Sequence, residues 1–562
     1  MGKHPGMEED IGFRSGVLGV VGALCRQIGL VDVINEAAEW HPQAKMGPGE
    51  RILALIMCIF GDRRALWRVH EYFEDEDLEV LFGPGVRSDD FNDDALGRAL
   101  DKLHAAGAQG VMATLAMRAL AVEAIPLEGA LRADTATVSV WGDYLEPEDG
   151  AIEITFGHAK ENNRVHSKQL QLGGVSVGPG MPVLGQVLSG NSSDKTWNFE
   201  TLETLSRQLD AADVQRLVYI GDAQMVTGPN LDRIADLNWR FISRLPSMYA
   251  LADEVKAAAF AEGEWLEVGR ISPSKQAASY RVQERSGVID DRPYRLVVTQ
   301  SSSLERRKAQ ALQRTIDKES EAILQQAATW RKKPFSCHED AAAAAAAFAA
   351  KVPRFWGIET EIRAEEIVLK RAQRGRPRKG EEPPRVTRYT IELRLGDHRK
   401  DVIQQEKERL STFVLITNVP LKDRSAEDVL RDYHSQFLAE QNWRFIKVPW
   451  HLSPVFLKLN RRVEAFAYVL LFALIVHRMI QHRARASLET SSPKKMLLPG
   501  GIWRSTPTTE QLLDMLARVE IRLSVDQHGV HHRTFSRLRP EIRRVFELLH
   551  IDPQILTQPH PT

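Results

Sequence analysis

The stretch Leu131-Arg-Ala-Asp-Thr-Ala-Thr-Val-Ser-Val-Trp141 alternates around a carboxylate, Asp134, with the period of two that is typical of a β-strand. An unpaired carboxylate inside such a strand would be costly. A second apolar run, Leu217-Val-Tyr-Ile-Gly-Asp222, ends on another carboxylate. Ligand sites of α/β sheets tend to form at this end of a strand. Taken alone, each aspartate is more often a strand-end or capping residue.

The pattern around these two runs predicts the fold class. Further strands and helices follow in the order strand 152–156, strand 169–177, strand 181–188, helix 198–209, helix 230–237 and strand 240–245. Strands that first form a meander and then alternate with helices imply a mixed α/β sheet.

The rest of the chain divides by composition into further regions. Residues 1–125 are predicted to be helical, with Gly83-Pro84-Gly85 as a break. The α/β pattern of 126–245 is interrupted over 246–410, which carries strands and helices of its own and therefore indicates an inserted domain. Strand 412–416 returns the chain to the main body within 411–490. Residues 491–562 are expected to form a mainly helical tail.

A helix predicted over 425–447 carries the strongest single signal. Ser425 and Asp428 form a capping-box start, and Pro449 ends the helix. Four residues at offsets of 0, 3, 7 and 14 then fall within roughly 60° of one another; they are Tyr433, Gln436, Glu440 and Lys447. This face suits metal and phosphate binding, because glutamate is a hard oxygen ligand and Lys and Tyr contact phosphates. A half-exposed helix that merely meets water is the alternative.

Three carboxylates, Asp134, Asp222 and Glu440, thus come from two strands and a later helix. Such a set can converge around two divalent cations about 3.5–4 Å apart. A site of this kind supports in-line phosphoryl transfer, with water or a 3′-hydroxyl as the nucleophile.

These motifs resemble those of the DDE transposases of bacterial insertion sequences. The family's DDE triad is resembled by Asp134-Thr135, Asp222 and Glu440. The helix that carries Glu440 is similar to the family's Tyr-x2-Arg-x3-Glu-x6-Lys signature. The similarity continues through four other stretches, namely Asn92–Arg98, Gly157–Lys160, Gly190–Asp194 and Lys447–Lys458. Gln436 stands where the family usually has arginine, so one phosphate contact loses its charge.

The resemblance implies an RNase H-like core interrupted by a mixed α+β insertion domain. It also implies cut-and-paste transposition with two Mg²⁺ ions per active site, for which Mn²⁺ can substitute. The implied partners are the terminal inverted repeats and target DNA, held by a homodimer in the synaptic complex. In relatives with such an insertion a flipped base can stack on an aromatic residue, and Trp330 and Trp356 are candidates by position, although such tryptophans are more often core.

Other candidate DNA contacts follow from charge. Arg374-Gly-Arg-Pro-Arg-Lys379, with Arg374 and Arg376, resembles an AT-hook for a narrow minor groove, and a flexible basic linker is an equal alternative. Phosphate contacts are also predicted for basic residues after the second strand and in the C-terminal part; they are Lys160, Arg164, Lys168, Arg461, Arg462, Arg483 and Arg485.

Charge is unevenly distributed, although the net charge is −1. Residues 1–130 carry about nine more acidic than basic residues, and residues 421–562 about seven more basic than acidic ones. This asymmetry indicates a polyanionic partner for the C-terminal part, with solvated faces as the alternative.

Cellular location is predicted from the cysteines and the apolar stretches. Three cysteines without ligand spacing indicate a reducing cytosol rather than a disulfide framework or a zinc site. No signal peptide is visible, and the apolar stretch 465–476 is expected to be a buried helix, too short to span a bilayer. A cytoplasmic, nucleoid-associated protein without a membrane partner is therefore predicted.

Two other classes remain open. An RNase H-like nuclease or resolvase would share the triad but cut without joining. A non-enzyme, an inactive or domesticated DNA-binding relative, is disfavoured by the intact triad, although Gln436 leaves it some room.

Overall fold

The computed structural model describes residues 8–41, 43–61, 65–140, 142–144, 148–157, 168–272, 276–351, 354–370, 382–447, 457–525 and 531–559. The chain forms two compact units. The first comprises Met1–Arg244, Thr417–Asp423 and Arg431–Thr562, and the second Leu245–Ile416 and Arg424–Leu430.

The first unit begins with a strand and seven helices. These are β1 (Glu8–Phe13), α1 (Gly16–Gln27), α2 (Leu30–Ala37), α3 (Pro48–Phe60), α4 (Val69–Glu74), α5 (Leu78–Phe82), α6 (Asp93–Ala105) and α7 (Ala108–Val122). The predicted helical region is thus confirmed. The 96–120 segment is two helices, because Gly107 adopts φ +76, a left-handed conformation that ends α6.

The α/β part follows in the predicted order. Its elements are β2 (Gly129–Val140), β3 (Lys168–Val177), β4 (Met181–Ser189), α8 (Asp194–Gln208), α9 (Ala211–Arg216), β5 (Leu217–Ile220), α10 (Gly228–Asp236) and β6 (Arg240–Arg244). Within this unit the strands lie in the order β4-β3-β2-β5-β6. Pairing is antiparallel from β4 to β2 and parallel from β2 to β6. A mixed α/β fold is therefore present.

The predicted strand 152–156 is wrong. Only Thr155 forms a bridge, to Gln169 of β3. The backbone of Ile152 bonds instead to side chains of a later helix: its N–H donates to Glu464, and its carbonyl accepts from Asn460. Backbone groups engaged in this way cannot form a strand ladder.

The second unit has hydrophobic cores of its own. Its elements are α11 (Ala250–Glu262), β7 (Leu266–Arg270), β8 (Ser279–Ile289), β9 (Arg292–Ser301), α12 (Arg306–Lys332), α13 (His338–Lys351), β10 (Trp356–Val368), β11 (Arg385–His398), α14 (Lys400–Leu410) and β12 (Thr412–Thr417). Strands β12-β9-β8-β7 are adjacent in that order, and β10 and β11 form a separate antiparallel pair. One core packs α12 and α13 against β11, around Ile323, Trp330 and Ile391.

The chain then continues through helices and short strands. These are α15 (Ala426–His434), α16 (Phe437–Ile446), α17 (Asn460–Thr490), β13 (Met496–Leu498), β14 (Ile502–Arg504), α18 (Thr509–Leu516), β15 (Ile521–Val525), β16 (His531–Phe535) and α19 (Pro540–Leu548). The expected helical tail is wrong, because β15 pairs with β1 and with β16 in a three-stranded sheet. The partner β1 lies near the opposite end of the chain, so no local pattern could indicate this sheet.

Helix α17 is the central element of the first unit and packs on α3, α6, α7 and β4. It has 31 residues, and by length and composition it could cross a membrane, which corrects the prediction that its apolar stretch is too short. However, 89% of its most apolar window is buried inside the protein. The prediction of a buried helix is therefore confirmed.

Candidate active site

The sheet brings Asp134 and Asp222 to the same level on neighbouring strands. Strands β2 and β5 are parallel, with Leu131 opposite Tyr219 and Arg132 opposite Ile220. Two residues further along the chain are Asp134, which is still within β2, and Asp222, which lies just beyond β5, so the register directs the two aspartates to neighbouring positions. Adjacent strands are about 4.8 Å apart. Both residues are half-buried.

Asp134 is held by two donors. One carboxylate oxygen accepts the backbone N–H of Thr135 at 2.8 Å, and the other accepts the indole N–H of Trp443 at 3.1 Å. Gly174 lies opposite Asp134 on β3. A Cβ at Gly174 would lie 2.8 Å from the Trp443 ring. Glycine at this position therefore lets the indole reach across β3 to the aspartate.

Asp222 lies two residues after the end of β5 and begins a short 3-10 turn. Its Oδ1 accepts the backbone N–H of Gln224 at 3.0 Å, and its carbonyl accepts the hydroxyl of Ser243 at 2.8 Å. Below it, Tyr219 is fully buried and donates to Asn198 at 2.8 Å. Burial, and then the charge of Asp222, raise the pKa of Tyr219. Asp222 therefore follows a fully buried strand and is itself partly exposed.

Glu440 lies on α16, which packs on β2 and β3. Its side chain is exposed, and Trp443, one turn further on, carries the contact to Asp134. Glu440 is therefore one helical turn from the point at which its helix contacts the aspartate strand.

The predicted continuous helix over 425–447 is wrong, because α15 ends at His434 and α16 begins at Phe437. The reciprocal capping bonds of Ser425 and Asp428 are present. Tyr433 and Gln436 lie on either side of the break, so helical offsets across it do not establish one shared face. The first-turn bonds of α16 still link Gln436 to Glu440, whose N–H donates to the Gln436 carbonyl at 3.2 Å.

Ser435 and Arg132 account for the break. The Ser435 hydroxyl donates to the carbonyl of Asp432, a side-chain bond that competes with helix continuation. The same hydroxyl accepts from Nε of Arg132 at 2.6 Å. Arg132 is buried on β2, and its Nη1 donates to the carbonyl of Gly178, at the β3–β4 turn, at 3.0 Å. The kink is thus fixed by the strand that carries Asp134.

A second buried arginine holds the other side of α16. Arg478 of α17 is 2% exposed, and it donates to the side chain of Asn442 and to the carbonyl of Leu438 at 3.1 Å. Asn442 in turn donates to the carbonyl of Gly180 at 3.1 Å. Burial lowers the pKa of Arg478 to about 10, so it remains charged at neutral pH. Leu438 and Asn442 flank Glu440, and α16 is therefore fixed on both sides of that residue.

The other predicted site residues are placed as follows. Tyr433, Gln436 and Lys447 are half-buried, and Lys447 caps the end of α16. The Lys168 ammonium donates to the carbonyls of Asp143 and Tyr144. Four other predicted DNA contacts lie outside the described residues; they are Lys160, Arg164, Arg374 and Arg376.

Several cations predicted to contact DNA are engaged inside the protein. Arg483 is 8% exposed and ion-paired with Glu123, which corrects its prediction as a phosphate contact. Arg461 and Arg462 both pair with Asp101. Arg485, which lies two residues from Arg483, donates to the carbonyl of Pro507.

The two tryptophans proposed for base stacking belong to the interior of the second unit. Trp330 is 7% exposed and contacts Phe348 edge to face, and Trp356 donates to the carbonyl of Ile316 at 3.1 Å. Core packing, the commoner role, is therefore the one observed.

Four residues near the site were not predicted from the sequence to belong to it; they are Trp443, Arg132, Arg478 and Asp194. The hydrogen-bond partners of Trp443, Arg132 and Arg478 lie 309, 303 and 36 positions away in the sequence. The hydroxyl of Thr135 donates to Asp194 at 2.7 Å. In the sequence, Asp194 is recognised only as the last residue of the Gly190–Asp194 stretch. A buried arginine in an apolar helix, as at 478, is the one signal that could have been recognised, since buried charges are rare without a partner.

The three carboxylates provide the donors that Mg²⁺ prefers, since all are hard oxygen ligands. In the described part of the chain, however, no group of three or more His, Cys, Asp or Glu residues is close enough to hold a metal ion. The residues present therefore fit a divalent cation in chemistry and in strand register, while the third carboxylate is not drawn into a cluster with the two aspartates.

A mixed α/β unit with aspartates level on adjacent parallel strands, and a glutamate helix packed over them, defines a candidate nuclease-type centre. Residues 175–476 match the family model described as "Transposase DDE domain", and residues 14–117 match "Domain of unknown function (DUF4277)". The first match covers more than half of the chain, so the chain belongs to the DDE transposase family. No curated protein matches it.

The matched ranges include only two of the three carboxylates. Asp222 and Glu440 lie inside the transposase match, whereas Asp134 lies between the two matched ranges. Support for Asp134 as a site residue therefore comes from the register of β2 against β5 and from its bond with Trp443.

Proposed function

We propose that this transposase cleaves DNA at the ends of a bacterial insertion sequence and joins those ends to target DNA, in a reaction that requires Mg²⁺. The observation that carries the proposal is the level placement of Asp134 and Asp222 on parallel strands. A helix that carries Glu440 lies directly over one of them.

Asp134, Asp222 and Glu440 would hold two Mg²⁺ ions, with Mn²⁺ as a substitute. When bound, such ions activate water or a 3′-hydroxyl and stabilise the leaving oxygen.

The surrounding residues orient this acid set. Trp443 fixes the Asp134 carboxylate, and Arg132 and Arg478 fix the helix of Glu440. Hydrogen bonds that orient the side chains holding a metal typically affect metal affinity or activity 10–100-fold. Tyr433, Gln436 and Lys447 would contact phosphates next to the scissile bond, and the uncharged Gln436 would contribute least.

An RNase H-like core is part of the proposal. The strand order β4-β3-β2-β5-β6, antiparallel in its first part and parallel in its second, supports it. The second unit would be the insertion domain, since it begins at Leu245 and interrupts the first unit until Thr417. Two protomers would synapse the two terminal inverted repeats.

A strand-transfer assay with the terminal inverted repeats that flank the gene tests the proposal. The wild type should give both cleaved ends and joined products with Mg²⁺. Glu440→Gln should abolish both and leave end binding largely intact. The matched control is Glu489→Gln, an exposed glutamate near the end of α17, which should retain activity.

Other outcomes distinguish the alternatives. Cleaved ends without any joined product would assign the chain to the nucleases that cut without joining. Failure of the wild type to cleave authentic ends would leave a DNA-binding protein without catalytic activity.

A further inference from the structure

A small hairpin, formed by β13 and β14, presents apolar side chains to solvent. We call this segment, which comprises β13, β14 and the two lysines before them, the 494–504 hairpin. Leu497 pairs with Trp503, and these two side chains are 37% and 58% exposed. Ile502, at the tip, is 49% exposed. Isolated exposed apolar residues are ordinary, but Leu497 and Trp503 are cross-strand partners on one face of the hairpin, and this exposed apolar pair indicates an interaction surface.

The 494–504 hairpin is anchored by its other strand positions. Met496 and Leu498 are 2% and 3% exposed, and β13 packs on α18 and α19. Gly500 and Gly501 adopt φ +82 and +75, a left-handed pair that closes a tight turn between the strands. The base is therefore fixed in the first unit, while the tip stands in solvent.

The charge of this hairpin has a single sign. Lys494, Lys495 and Arg504 are exposed, and residues 491–508 contain no aspartate or glutamate. In the part of the chain that the structure describes, none of these three cations forms an ion pair. Arg461 and Arg533, by contrast, are C-terminal cations paired with acids of the N-terminal region. The positive charge of the hairpin is thus not neutralised within the described protein.

We infer that the 494–504 hairpin binds double-stranded DNA. Lys494, Lys495 and Arg504 contact backbone phosphates, and Trp503 contacts sugars or base edges in the groove. The inference rests on the proposed function, because it names a surface by which the transposase holds its substrate.

Charge complementarity selects this occupant over a second copy of the chain. A symmetric contact between two hairpins would place three cations against three identical cations, with no acidic residue in 491–508 to pair with them. The DNA backbone supplies the opposite charge at regular spacing. A surface of cations around an exposed tryptophan fits that polyanion.

Binding of a labelled duplex of random sequence to the full-length protein, followed by fluorescence anisotropy over a salt series, tests the inference. The triple variant Lys494→Gln, Lys495→Gln, Arg504→Gln should bind at least tenfold more weakly at about 0.1 M salt. The slope of log affinity against log salt should fall by about 2 to 3, close to one for each phosphate contact. Trp503→Ala should weaken binding without changing the slope, and Trp503→Phe should restore it.

The matched control removes the same charge from cations that already have intramolecular partners. Arg216, Arg518 and Arg544 are paired with Asp213, Asp514 and Glu547. The triple control Arg216→Gln, Arg518→Gln, Arg544→Gln should bind DNA like the wild type. Thermal unfolding of all variants should stay close to that of the wild type, because Arg544 is half-buried and the other substituted side chains are exposed.

Three results would overturn the inference: unchanged affinity and slope in the hairpin variant, an equal loss in the control, or conversion of a dimer to a monomer in sedimentation without loss of DNA binding. End cleavage measured on the same preparations separates the two proposals. A wild type that cleaves and joins ends while the hairpin variant binds normally contradicts only the inference. Hairpin-dependent binding without any cleavage supports the inference and contradicts the proposed function.

Discussion

A single indole N–H connects the helix of Glu440 to the strand of Asp134. Trp443 is 5% exposed, and its Nε1 lies 3.1 Å from the Asp134 carboxylate. An indole donates but cannot accept, so the Asp134 oxygen is the acceptor in this bond. The bond also fixes which oxygen of Asp134 faces away from the helix.

Trp443→Phe should retain the packing of the ring and remove this bond. We expect end cleavage to fall 10–100-fold, because a bond that orients a metal-binding carboxylate affects both metal affinity and activity. Stability should fall by only about 1 kcal/mol, since one hydrogen bond is lost. The measurements are a Mg²⁺ titration of cleavage and thermal unfolding. Wild-type activity in the variant would show that Trp443 has only a packing role.

Glu76 is a carboxyl group whose ionisation opposes folding. It is half-buried and accepts a hydrogen bond from the hydroxyl of Ser15 at 2.5 Å. Burial, with smaller contributions from the neighbouring Asp75 and Asp77, raises the pKa of Glu76 from 4.5 to about 7. Between these values the folded protein binds a proton that the unfolded chain has released.

Stability should therefore fall as pH rises from about 4.5 to about 7, and the contribution of Glu76 is lost above its folded pKa. Glu76→Gln removes this dependence and still accepts from Ser15. The variant should be more stable than the wild type at pH 8, by at most about 2–3 kcal/mol. Denaturant unfolding of both proteins at pH 5 and pH 8 measures the difference. An equal difference at the two pH values would exclude Glu76 as its source.

At the scale of elements, the position of α16 depends on a close approach to β3. A Cβ at Gly174 would lie 2.8 Å from the Trp443 ring, and a rigid ring packed in a core cannot move away cheaply. The two buried arginines fix the same helix from β2 and α17. The helix of Glu440 is thus held by steric fit and by hydrogen bonds together.

Gly174→Ala should displace α16 and reduce cleavage more than it reduces stability. Overpacking typically costs about 1–3 kcal/mol, whereas a misplacement of about 1 Å at a reacting group can cost 100-fold in rate. Both quantities are measured on the same preparation, well below its unfolding temperature.

Gly110→Ala is the matched control, because Gly110 lies in helix α7 and an added Cβ meets nothing within 4 Å. This variant should keep full activity and gain up to about 1 kcal/mol, since alanine is the better helix former. If Gly174→Ala behaves in the same way, α16 does not approach β3 as closely as described.

Over the first unit as a whole, the acidic N-terminal and basic C-terminal regions neutralise one another in part. Arg533 of β16 is paired with Asp77 and Glu79, and Arg483 of α17 with Glu123. Arg533 and Asp77 are both buried, so removing either partner alone would leave an uncompensated charge. Much of the charge asymmetry predicted to attract DNA is therefore used inside the protein.

This pairing predicts how fragments of the chain behave. Residues 1–125 should not fold alone, because β1 pairs with β15 and helices α3, α6 and α7 pack on α17. Residues 245–416 should fold alone, because they contain complete cores of their own around Trp330 and Phe355. Circular dichroism and thermal unfolding of the two fragments check this. A cooperative transition in 1–125 would contradict the first expectation.

The sequence by itself determined the α/β pattern and the candidate acids. Strand β5 lies within the apolar run that ends at Asp222, and strands β3, β4 and β6 were predicted within one residue at each end. Apolar periodicity is a local property, so it can be read without knowledge of the fold. The family resemblance to DDE transposases rests on motifs that are equally local, and the match over residues 175–476 agrees with it.

Tertiary structure decided what the local pattern could not contain. The break before α16 depends on Arg132, about 300 residues away, and the sheet of β1 and β15 joins opposite ends of the chain. Which C-terminal cations are neutralised was decided by partners in the N-terminal helices. Each of these outcomes depends on a contact between distant segments, and the free energy of such a contact exists only once the chain has folded.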